Sequence, residues 1–126
     1  MPKPDTKPEV ELPTAELTGQ LQIRDLIDGD GATAQAGQQA VVHYVGVAHS
    51  TGEEFDASYN RGAPFTFGLG EGRVIAGWDQ GVQGMKVGGR RELIIPPHLG
   101  YGEHGAGGAI KGGETLIFVV DLLELR

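Results

Sequence analysis

The sequence predicts an α+β fold in which an antiparallel sheet of at least four strands is covered by one short helix. Several runs alternate apolar and polar residues, one segment has a helical period instead, and the 22 glycines lie mostly between apolar runs, where they indicate tight turns. A sheet has to bury one face, and this helix is the only cover the chain offers. We therefore expect the helix to lie on the sheet, with the single tryptophan, Trp78, between them.

The length of 126 residues predicts one domain, because it suffices for a real hydrophobic core but leaves little room for two. Residues 1–20 mix Pro, Glu, Lys and Thr with few apolar side chains. Such a composition does not offset the entropy lost on ordering. We predict a flexible N-terminal tail over residues 1–20 and a folded domain over residues 21–126.

Two strands are predicted before residue 50. In LQIRDLI, Leu21, Ile23 and Ile27 share one face of an extended chain, and the turn signal DGDG follows. The run AVVHYVGVA is rich in β-branched residues, which favours a strand. Its side chains should alternate between two faces, with Val42 and Tyr44 on one and His43, Val45 and Val47 on the other.

A polar, turn-rich stretch, STGEEFDASYNRGAPFTFGLGEG, precedes the predicted helix and is expected to form a loop. The helix follows from a stripe of apolar residues at i, i+4, i+8 and i+11: Val74, Trp78, Val82 and Met85. Two glycines lie on the neighbouring stripe, and each costs about 1 kcal/mol of helix propensity relative to alanine. So short a helix should form only because its apolar stripe packs against the sheet.

The last third of the chain predicts two further strands around a long loop. RRELIIPP ends at Pro96 and Pro97, which cannot donate to a strand ladder. The loop HLGYGEHGAGGAIKGG contains one aromatic residue, Tyr101. In ETLIFVVDLLELR, alternation places one set of apolar side chains on a single face: Leu116, Phe118, Val120 and Leu122.

Composition excludes several classes of protein. The formal net charge is −7, from ten Lys and Arg against seventeen Asp and Glu, so the chain as a whole repels phosphate backbones and nucleic acid is not expected as a partner. No window approaches the roughly 18 apolar residues of a membrane span, so no membrane partner is expected. The chain has no cysteine, which suits a reducing compartment, and we expect a cytoplasmic protein.

Common catalytic motifs are missing. GLGEGR lacks the G-x-G-x-x-G spacing of dinucleotide sites, and in GAGGAIKGG the lysine does not follow a glycine as a P-loop requires. The four histidines have no metal-ligand spacing and are expected at the surface, so neither a metal nor a cofactor is predicted. Neither serine lies in G-x-S-x-G, so no hydrolase nucleophile is evident.

What remains is a set of aromatic residues from two strands, two loops and the helix, which could collect in one patch where these elements meet. Its members are Tyr44, Phe55, Phe65, Trp78, Tyr101 and Phe118. Spacing alone favours simple core packing, because most aromatic side chains are packing residues. The tyrosines argue for a site, because a buried hydroxyl needs a partner, and Asp56 and Arg61 lie close in sequence to the expected rim.

Several motifs in one order then resemble a known family. VVHYVG, GEEFDAS, the run from Pro64 to Phe67, GRVIAGWDQGVQGMKVGG, IPPHLGYG and ETLIFVVDLLEL are similar to the FKBP-type peptidyl-prolyl cis-trans isomerases, the macrolide-binding immunophilins. The resemblance covers about residues 21–126, and the glycine-rich GAGGAI is similar to bacterial single-domain members. It implies a strongly bent antiparallel sheet, a half-barrel, wrapped around one short α-helix.

The resemblance also implies a shallow apolar pocket that receives a proline ring. Trp78 would be its floor, Phe55, Phe65 and Phe118 its walls, and Tyr44 with Asp56 and Arg61 a polar rim. Val74, Ile75 and Ile110 would complete the lining. The backbone N–H of Ile75 and the hydroxyl of Tyr101 would hold carbonyl groups of the substrate or of a macrolide. Tyr44, Asp56, Trp78, Tyr101 and Phe118 are thereby expected to be the catalytic residues.

The function implied is a rotamase that accelerates X-Pro rotation in protein folding, by desolvation and by stabilising the twisted amide in an aromatic pocket. Its partners would be proline-containing polypeptides and macrolides such as rapamycin, and it would act as a monomer. An alternative is a module or chaperone that binds proline segments or macrolides through the same pocket with little catalysis.

This chain departs from the family in its late loop. Lys111, Gly112 and Gly113 follow Ile110 where paired prolines are common, so we expect a more mobile loop that carries a charge. Substrate preference and macrolide affinity are the properties that this loop should change.

Overall fold

A computed structural model describes residues 7–10, 12, 16–106 and 110–126. It contains six β-strands, one α-helix and two short 3₁₀ helices. The strands are β1 Gln22–Ile27, β2 Gln39–Ala48, β3 Glu54–Ala57, β4 Phe65–Gly68, β5 Arg90–Ile95 and β6 Leu116–Leu125. The helix α1 spans Ala76–Gly81, and the 3₁₀ helices span Ser58–Arg61 and Pro97–Leu99. In these residues, no helix has the length and apolar character needed to cross a membrane.

The six strands form one antiparallel sheet in the order β1-β5-β6-β2-β3, and β4 also pairs with β2. The long strand β2 has β6 along one edge. Along its other edge, its first half pairs with β4 and its second half with β3. The predicted fold class, an antiparallel sheet with one short helix, is thus confirmed, and every predicted strand is present.

The alternation predicted for β2 and β6 is confirmed. Val42 and Tyr44 of β2 face the helix side and join the main core, whereas Val45 and Val47 face the other side. In β6 the four residues predicted to share a face all lie in the main core. The sheet is buried on both sides here, because Val10 and Tyr59 pack on its outer side, the side away from α1. Ile23 of β1 remains 47% exposed, since β1 is an edge strand.

Two glycines let α1 lie close to β5. A Cβ at Gly77 would come within 2.6 Å of Ile95, and one at Gly81 within 2.6 Å of Leu93. Any larger residue would therefore push the helix off the sheet. Glycines surround Trp78 in the sequence because the helix face that packs on β5 has no room for side chains. Trp78 fills the space beside that face.

The helix is shorter than its apolar stripe. Val74 precedes it and Met85 follows it, yet Trp78, Val82 and Met85 are all buried in the main core. The chain leaves the helical path before Met85 at Gly84, whose φ of +90° suits glycine. Arg91 secures this end, since its Nη1 donates to the carbonyl of Gly81 at 2.9 Å.

The expectation of a loop between residues 50 and 72 is wrong in part, because β3, β4 and the 3₁₀ helix Ser58–Arg61 lie there. Both strands have only four residues, which is too short for their alternation to stand out in a polar, turn-rich stretch. They form because β2 extends far enough to pair with each of them. Through β3 and β4, the phenylalanines of this stretch are held in the sheet.

The outer side of the sheet carries a polar cluster, the outer-face triad of Arg90, Asp121 and Tyr59. Arg90 Nε donates to Asp121 Oδ1 at 2.7 Å, and the Tyr59 hydroxyl donates to Asp121 Oδ2 at 2.6 Å. The ring of His43 stacks on Tyr59 with centroids 4.3 Å apart, and its Nδ1 lies 2.8 Å from the hydroxyl of Ser58. These contacts leave His43 only partly exposed, so it lies less open to solvent than a surface position implies.

Part of the N-terminal segment also contacts the outer side. Lys7 Nζ lies 2.9 Å from Glu54 Oε1 of β3 and 2.9 Å from Asn60 Oδ1, and Val10 packs against the apolar residues on this side. Residues 1–6, 11 and 13–15 lie outside the described part. A flexible tail over residues 1–20 stays a prediction, with the qualification that Lys7 and Val10 contact the sheet.

Candidate active site

A cavity of about 220 Å³ opens where α1, β2, β3, β4 and β6 meet. Nine of the eleven residues expected at the site line it, although they come from separate parts of the chain. They are Tyr44, Phe55, Asp56, Phe65, Val74, Ile75, Trp78, Tyr101 and Phe118. The aromatic set is thus brought together around an opening, and it is not only a packed core.

Trp78 lies beneath a set of aromatic rings. Trp78 is only 4% exposed, and the centroid of its ring lies 4.9 Å from that of Tyr44 and 5.3 Å from that of Phe118, both rings nearly perpendicular to it. Phe67 and Phe65 approach at 5.5 and 6.1 Å. Edge-to-face contacts of this kind are the favoured arrangement of aromatic rings and keep each ring in place. The Nε1 of Trp78 is buried without a hydrogen-bond partner among the described residues.

Polar groups at the mouth form a closed triangle, the rim triad of Tyr44, Asp56 and Arg61. The Tyr44 hydroxyl donates to Asp56 Oδ2 at 2.5 Å, Arg61 Nη1 donates to Asp56 Oδ1 at 2.7 Å, and Arg61 Nη2 donates to the Tyr44 oxygen at 2.8 Å. The Arg61 guanidinium also lies 5.6 Å from the centre of the Tyr44 ring. Each group of the triad therefore has two partners.

These contacts fix the protonation states of the rim. Burial acts to raise the pKa of Asp56, but hydrogen bonds from Tyr44 and Arg61 outweigh it and hold that pKa below 3.8. Burial, assisted by the hydrogen bond to Asp56, raises the pKa of Tyr44 above 10.0. At neutral pH the triad thus contains a carboxylate, a guanidinium and a neutral phenol.

Two hydrogen-bond donors at the cavity have no partner in the described part of the chain. The carbonyl of Ile75 accepts from Trp78 N–H at 2.9 Å, but the N–H of Ile75 donates to no described group. The Tyr101 hydroxyl likewise makes no hydrogen bond there, and Tyr101 is 40% exposed. Both groups are available to carbonyl oxygens of a bound molecule.

Two residues expected at the site are not among those that line the cavity: Arg61, which the resemblance assigned to the polar rim, and Ile110. Arg61 stands at the mouth through its bonds to Tyr44 and Asp56, with its side chain half exposed. Ile110 belongs to the late loop, but its side chain is 5% exposed and packs in the main core. Ala109 and its neighbours at 107 and 108 lie outside the described residues.

Arg73 lines the cavity and was missed by sequence reasoning. It directly precedes the Val74-Ile75 pair, so its adjacency to two expected site residues was the signal that could have found it. Asp79 holds the turn before it, because its two carboxylate oxygens accept from the N–H groups of Gly70 and Gly72 at 2.9 and 3.0 Å.

Size alone does not identify the site. A larger cavity of about 360 Å³ lies between β1 and the segment after α1, but it is lined mostly by charged residues and glycines and by no aromatic residue. None of the expected site residues lines it. Among the described residues there is also no group of three or more His, Cys, Asp or Glu side chains that could hold a metal ion.

Comparison with known proteins agrees with this geometry. Residues 31–123 match the family described as FKBP-type peptidyl-prolyl cis-trans isomerase. The chain is 69% identical over 120 residues to an FK506-binding protein of Streptomyces anulatus, covering 94% of this chain and 97% of that protein. It is 50% identical over 118 residues to a probable FK506-binding protein of Corynebacterium glutamicum, covering 94% and 98% of the two chains.

A solved structure gives the same result for the fold. The crystal structure of AtFKBP13 superposes with a TM-score of 0.78 at 42% identity, covering 84% of this chain and 93% of that one. Fold, family match and aromatic cavity agree, and the chain belongs to the FKBP-type peptidyl-prolyl cis-trans isomerases.

Proposed function

We propose that the cavity above Trp78 takes the proline ring of a peptide and is the place where this isomerase accelerates X-Pro rotation. The observation that carries the proposal is the joining of an aromatic cavity of about 220 Å³ to a polar rim and two unpartnered donors. An apolar hollow with a few convergent polar groups is the usual form of a small binding site.

The barrier explains why such a cavity suffices. Rotation about X-Pro costs roughly 18 to 20 kcal/mol because twisting removes amide resonance. The planar amide has more charge separation than the twisted one, so a dry, aromatic site penalises the ground state more than the transition state. Lowering the barrier by about 4 kcal/mol gives on the order of a thousandfold in rate. No covalent bond has to break.

The two unpartnered donors would orient the peptide. Ile75 and Tyr101 are far apart in sequence but both line the cavity, so the N–H of one and the hydroxyl of the other could each bind a different carbonyl. Holding the carbonyls on both sides of the prolyl bond fixes one part of the chain while the other turns. Such positioning lowers the entropic cost of reaching the twisted geometry.

The rim triad would keep the cavity in its open form. Asp56 accepts from both Tyr44 and Arg61, so it holds the phenol edge that walls the cavity. The Tyr44 ring in turn contacts Trp78 and Phe118. Loss of the carboxylate would release the phenol and change the shape of the mouth without removing the floor.

The same cavity supports a proposal for macrolide binding. Both relatives described above carry FK506-binding in their names, and the residues that would accept a proline ring are suited to a cyclic apolar group of similar size. We infer that macrolides such as rapamycin compete with proline-containing peptides for this cavity. A monomeric state and a cytoplasmic location, both expected from sequence, remain proposals.

Turnover of a blocked X-Pro peptide, measured with and without rapamycin, tests the proposal. We expect the pure protein to accelerate isomerisation and rapamycin to abolish the acceleration. Rapamycin binding without acceleration would favour the alternative, a binding module with little catalysis. Acceleration that rapamycin leaves unchanged would place the reaction outside the aromatic cavity.

A further inference from the structure

We propose that Arg73 makes this isomerase select prolines that have a carboxylate side chain close by in the sequence of the substrate. The proposal rests on the cavity being the substrate site and adds a preference of charge to it. Asp56 and Arg73 are the charged residues that line the cavity. They differ in whether another residue neutralises their charge.

The charge of Asp56 is already neutralised. Its Oδ1 accepts from Arg61 at 2.7 Å and its Oδ2 from Tyr44 at 2.5 Å. Arg73, in contrast, forms no hydrogen bond or ion pair with any described residue, and it is exposed. The mouth of the cavity therefore carries one uncompensated positive charge.

The acids nearest to Arg73 in sequence, Glu71 and Asp79, lie against other groups. Both oxygens of Asp79 accept from backbone N–H groups of Gly70 and Gly72. The carboxylate of Glu71 lies back against Gly68, where an added Cβ would come within 2.5 Å of its Oε1. Neither acid forms an ion pair with Arg73, so the guanidinium is left for a bound peptide.

The positive mouth is a local feature. The chain has a formal net charge of −7, so a basic patch is not its general character, and a positive group at the mouth stands out against an acidic surface. A charged group at a binding site attracts the opposite charge and disfavours its own sign. The substrate class that fits is an acidic proline-containing segment.

The size of the preference follows from exposed ion pairs. Such pairs contribute about 0.2 to 1 kcal/mol, which corresponds to at most about fivefold. We expect kcat/KM at low salt to be about threefold higher for a glutamate than for a glutamine beside proline, because the glutamate is attracted. A lysine is also repelled, by about another threefold, so the ratio of glutamate to lysine should be about tenfold. Added salt should shrink both ratios, because the Debye length falls to about 3 Å at 1 M.

The test uses end-blocked peptides that differ in a single residue beside proline, which is Glu, Gln or Lys. This residue precedes proline in one series of peptides and follows it in the other. Within each protein variant, kcat/KM and Kd are expressed as ratios between peptides, so general losses of activity cancel. Arg73→Gln should bring the ratios close to one, Arg73→Lys should keep most of the preference, and Arg73→Glu should reverse it.

Lys86→Gln is the matched control, because Lys86 is also an exposed cation but lines the other cavity. It removes the same charge and should leave the ratios as they are. Equal ratios in the native protein and in Arg73→Gln, in both peptide series, would overturn the proposal. The rate on the glutamine peptide reports the isomerase activity separately, and the Kd ratios test the charge preference even where turnover is slow.

Discussion

The protein contains two triads of arginine, aspartate and tyrosine that use the same hydrogen bonds in different surroundings. In the rim triad, the arginine and aspartate side chains are 50% and 42% exposed. In the outer-face triad, the corresponding values are 8% and 1%. One triad borders the aromatic cavity and the other lies across the sheet from it, between β5, β6 and the 3₁₀ helix Ser58–Arg61.

The difference teaches that access to solvent, and not the set of side chains, decides what such a cluster does. An exposed ion pair contributes little to stability and is free to adjust to a bound molecule. A buried pair is costly to break, because its partner is left as an uncompensated charge. We therefore expect the rim triad to affect turnover and the outer-face triad to affect folding.

The largest effect is expected from Asp121→Asn, which leaves the Arg90 guanidinium buried without a counter-charge. Breaking a buried pair in this way costs about 3 to 5 kcal/mol in the free energy of unfolding. Urea denaturation followed by circular dichroism measures the loss. A change below about 1 kcal/mol would mean that the outer-face triad stabilises no more than the rim triad does.

A double variant sharpens this result. Replacing both partners, Arg90→Met with Asp121→Leu, removes the buried charges together, and such replacements are often neutral or stabilising. The double variant should recover much of the stability lost in Asp121→Asn. A loss as large as in the single variant would show that packing, and not the unpaired charge, is the cause.

Asp56→Ala is expected to lower turnover with little loss of stability, the reverse of Asp121→Asn. The Asp56 side chain is 42% exposed, so the free energy of unfolding should fall by about 1 kcal/mol or less. Turnover on an X-Pro peptide should fall severalfold or more, because Tyr44 and Arg61 lose their common acceptor. Parallel kinetics and urea denaturation measure both. Unchanged turnover would remove Asp56 from the site.

The pH dependence of the rim triad gives a further, smaller effect. The pKa of Asp56 is lowered from 3.8 in the folded protein. Its contribution to the free energy of unfolding is therefore fully present above pH 3.8 and is lost as the pH falls through the lower pKa of the folded state. The pKa of Tyr44 is raised from 10.0 in the folded protein. Its contribution to the free energy of unfolding is therefore fully present below pH 10.0 and is lost as the pH rises through the higher pKa of the folded state.

Turnover on an uncharged peptide should therefore be level from about pH 5 to about pH 9. The carbon chemical shift of the Asp56 carboxyl group, followed by NMR, should show a pKa that rises in Arg61→Gln. A pKa that does not move in that variant would contradict the assigned cause.

The smallest effect concerns a third polar cluster, Lys7 with Glu54 and Asn60. The hydrogen bond from Lys7, followed by that from Asn60, lowers the pKa of Glu54 below 4.5. In Lys7→Ala the pKa of Glu54 should move back toward 4.5, with turnover unaffected, because Glu54 does not line the cavity. NMR titration measures it. A Glu54 pKa that stays low would show that the N-terminal segment does not hold this contact in solution.

The sequence predicted the parts of the fold that carry their own periodic signal. Alternation sorted the side chains of β2 and β6 into two faces, and the helical period placed Trp78 on the apolar stripe of the helix. The structure then shows that the faces carrying Tyr44 and Phe118 are the ones that meet Trp78. Motif resemblance supplied the loop residues, such as Tyr101, that no periodicity marks. These signals sufficed for the fold class and for most of the residues that line the cavity.

The parts that were missed depend on partners distant in sequence. Nothing local links Arg90 with Asp121, 31 positions apart, or Tyr59 with Asp121, 62 apart. The strands β3 and β4 form because β2 pairs with them, and four alternating residues in a turn-rich stretch are too few to predict a strand. Burial of a charged pair and pairing of short edge strands are both decided by tertiary structure.

The central claim is that the proline ring of the substrate lies against Trp78. The most direct measurement is a set of intermolecular nuclear Overhauser effects between a ¹³C-labelled proline in a bound peptide and the protein. The account predicts contacts from the proline ring protons to the rings of Trp78, Tyr44 and Phe118. Contacts instead to the cavity beside Lys86, or to Tyr59 on the outer side of the sheet, would contradict it.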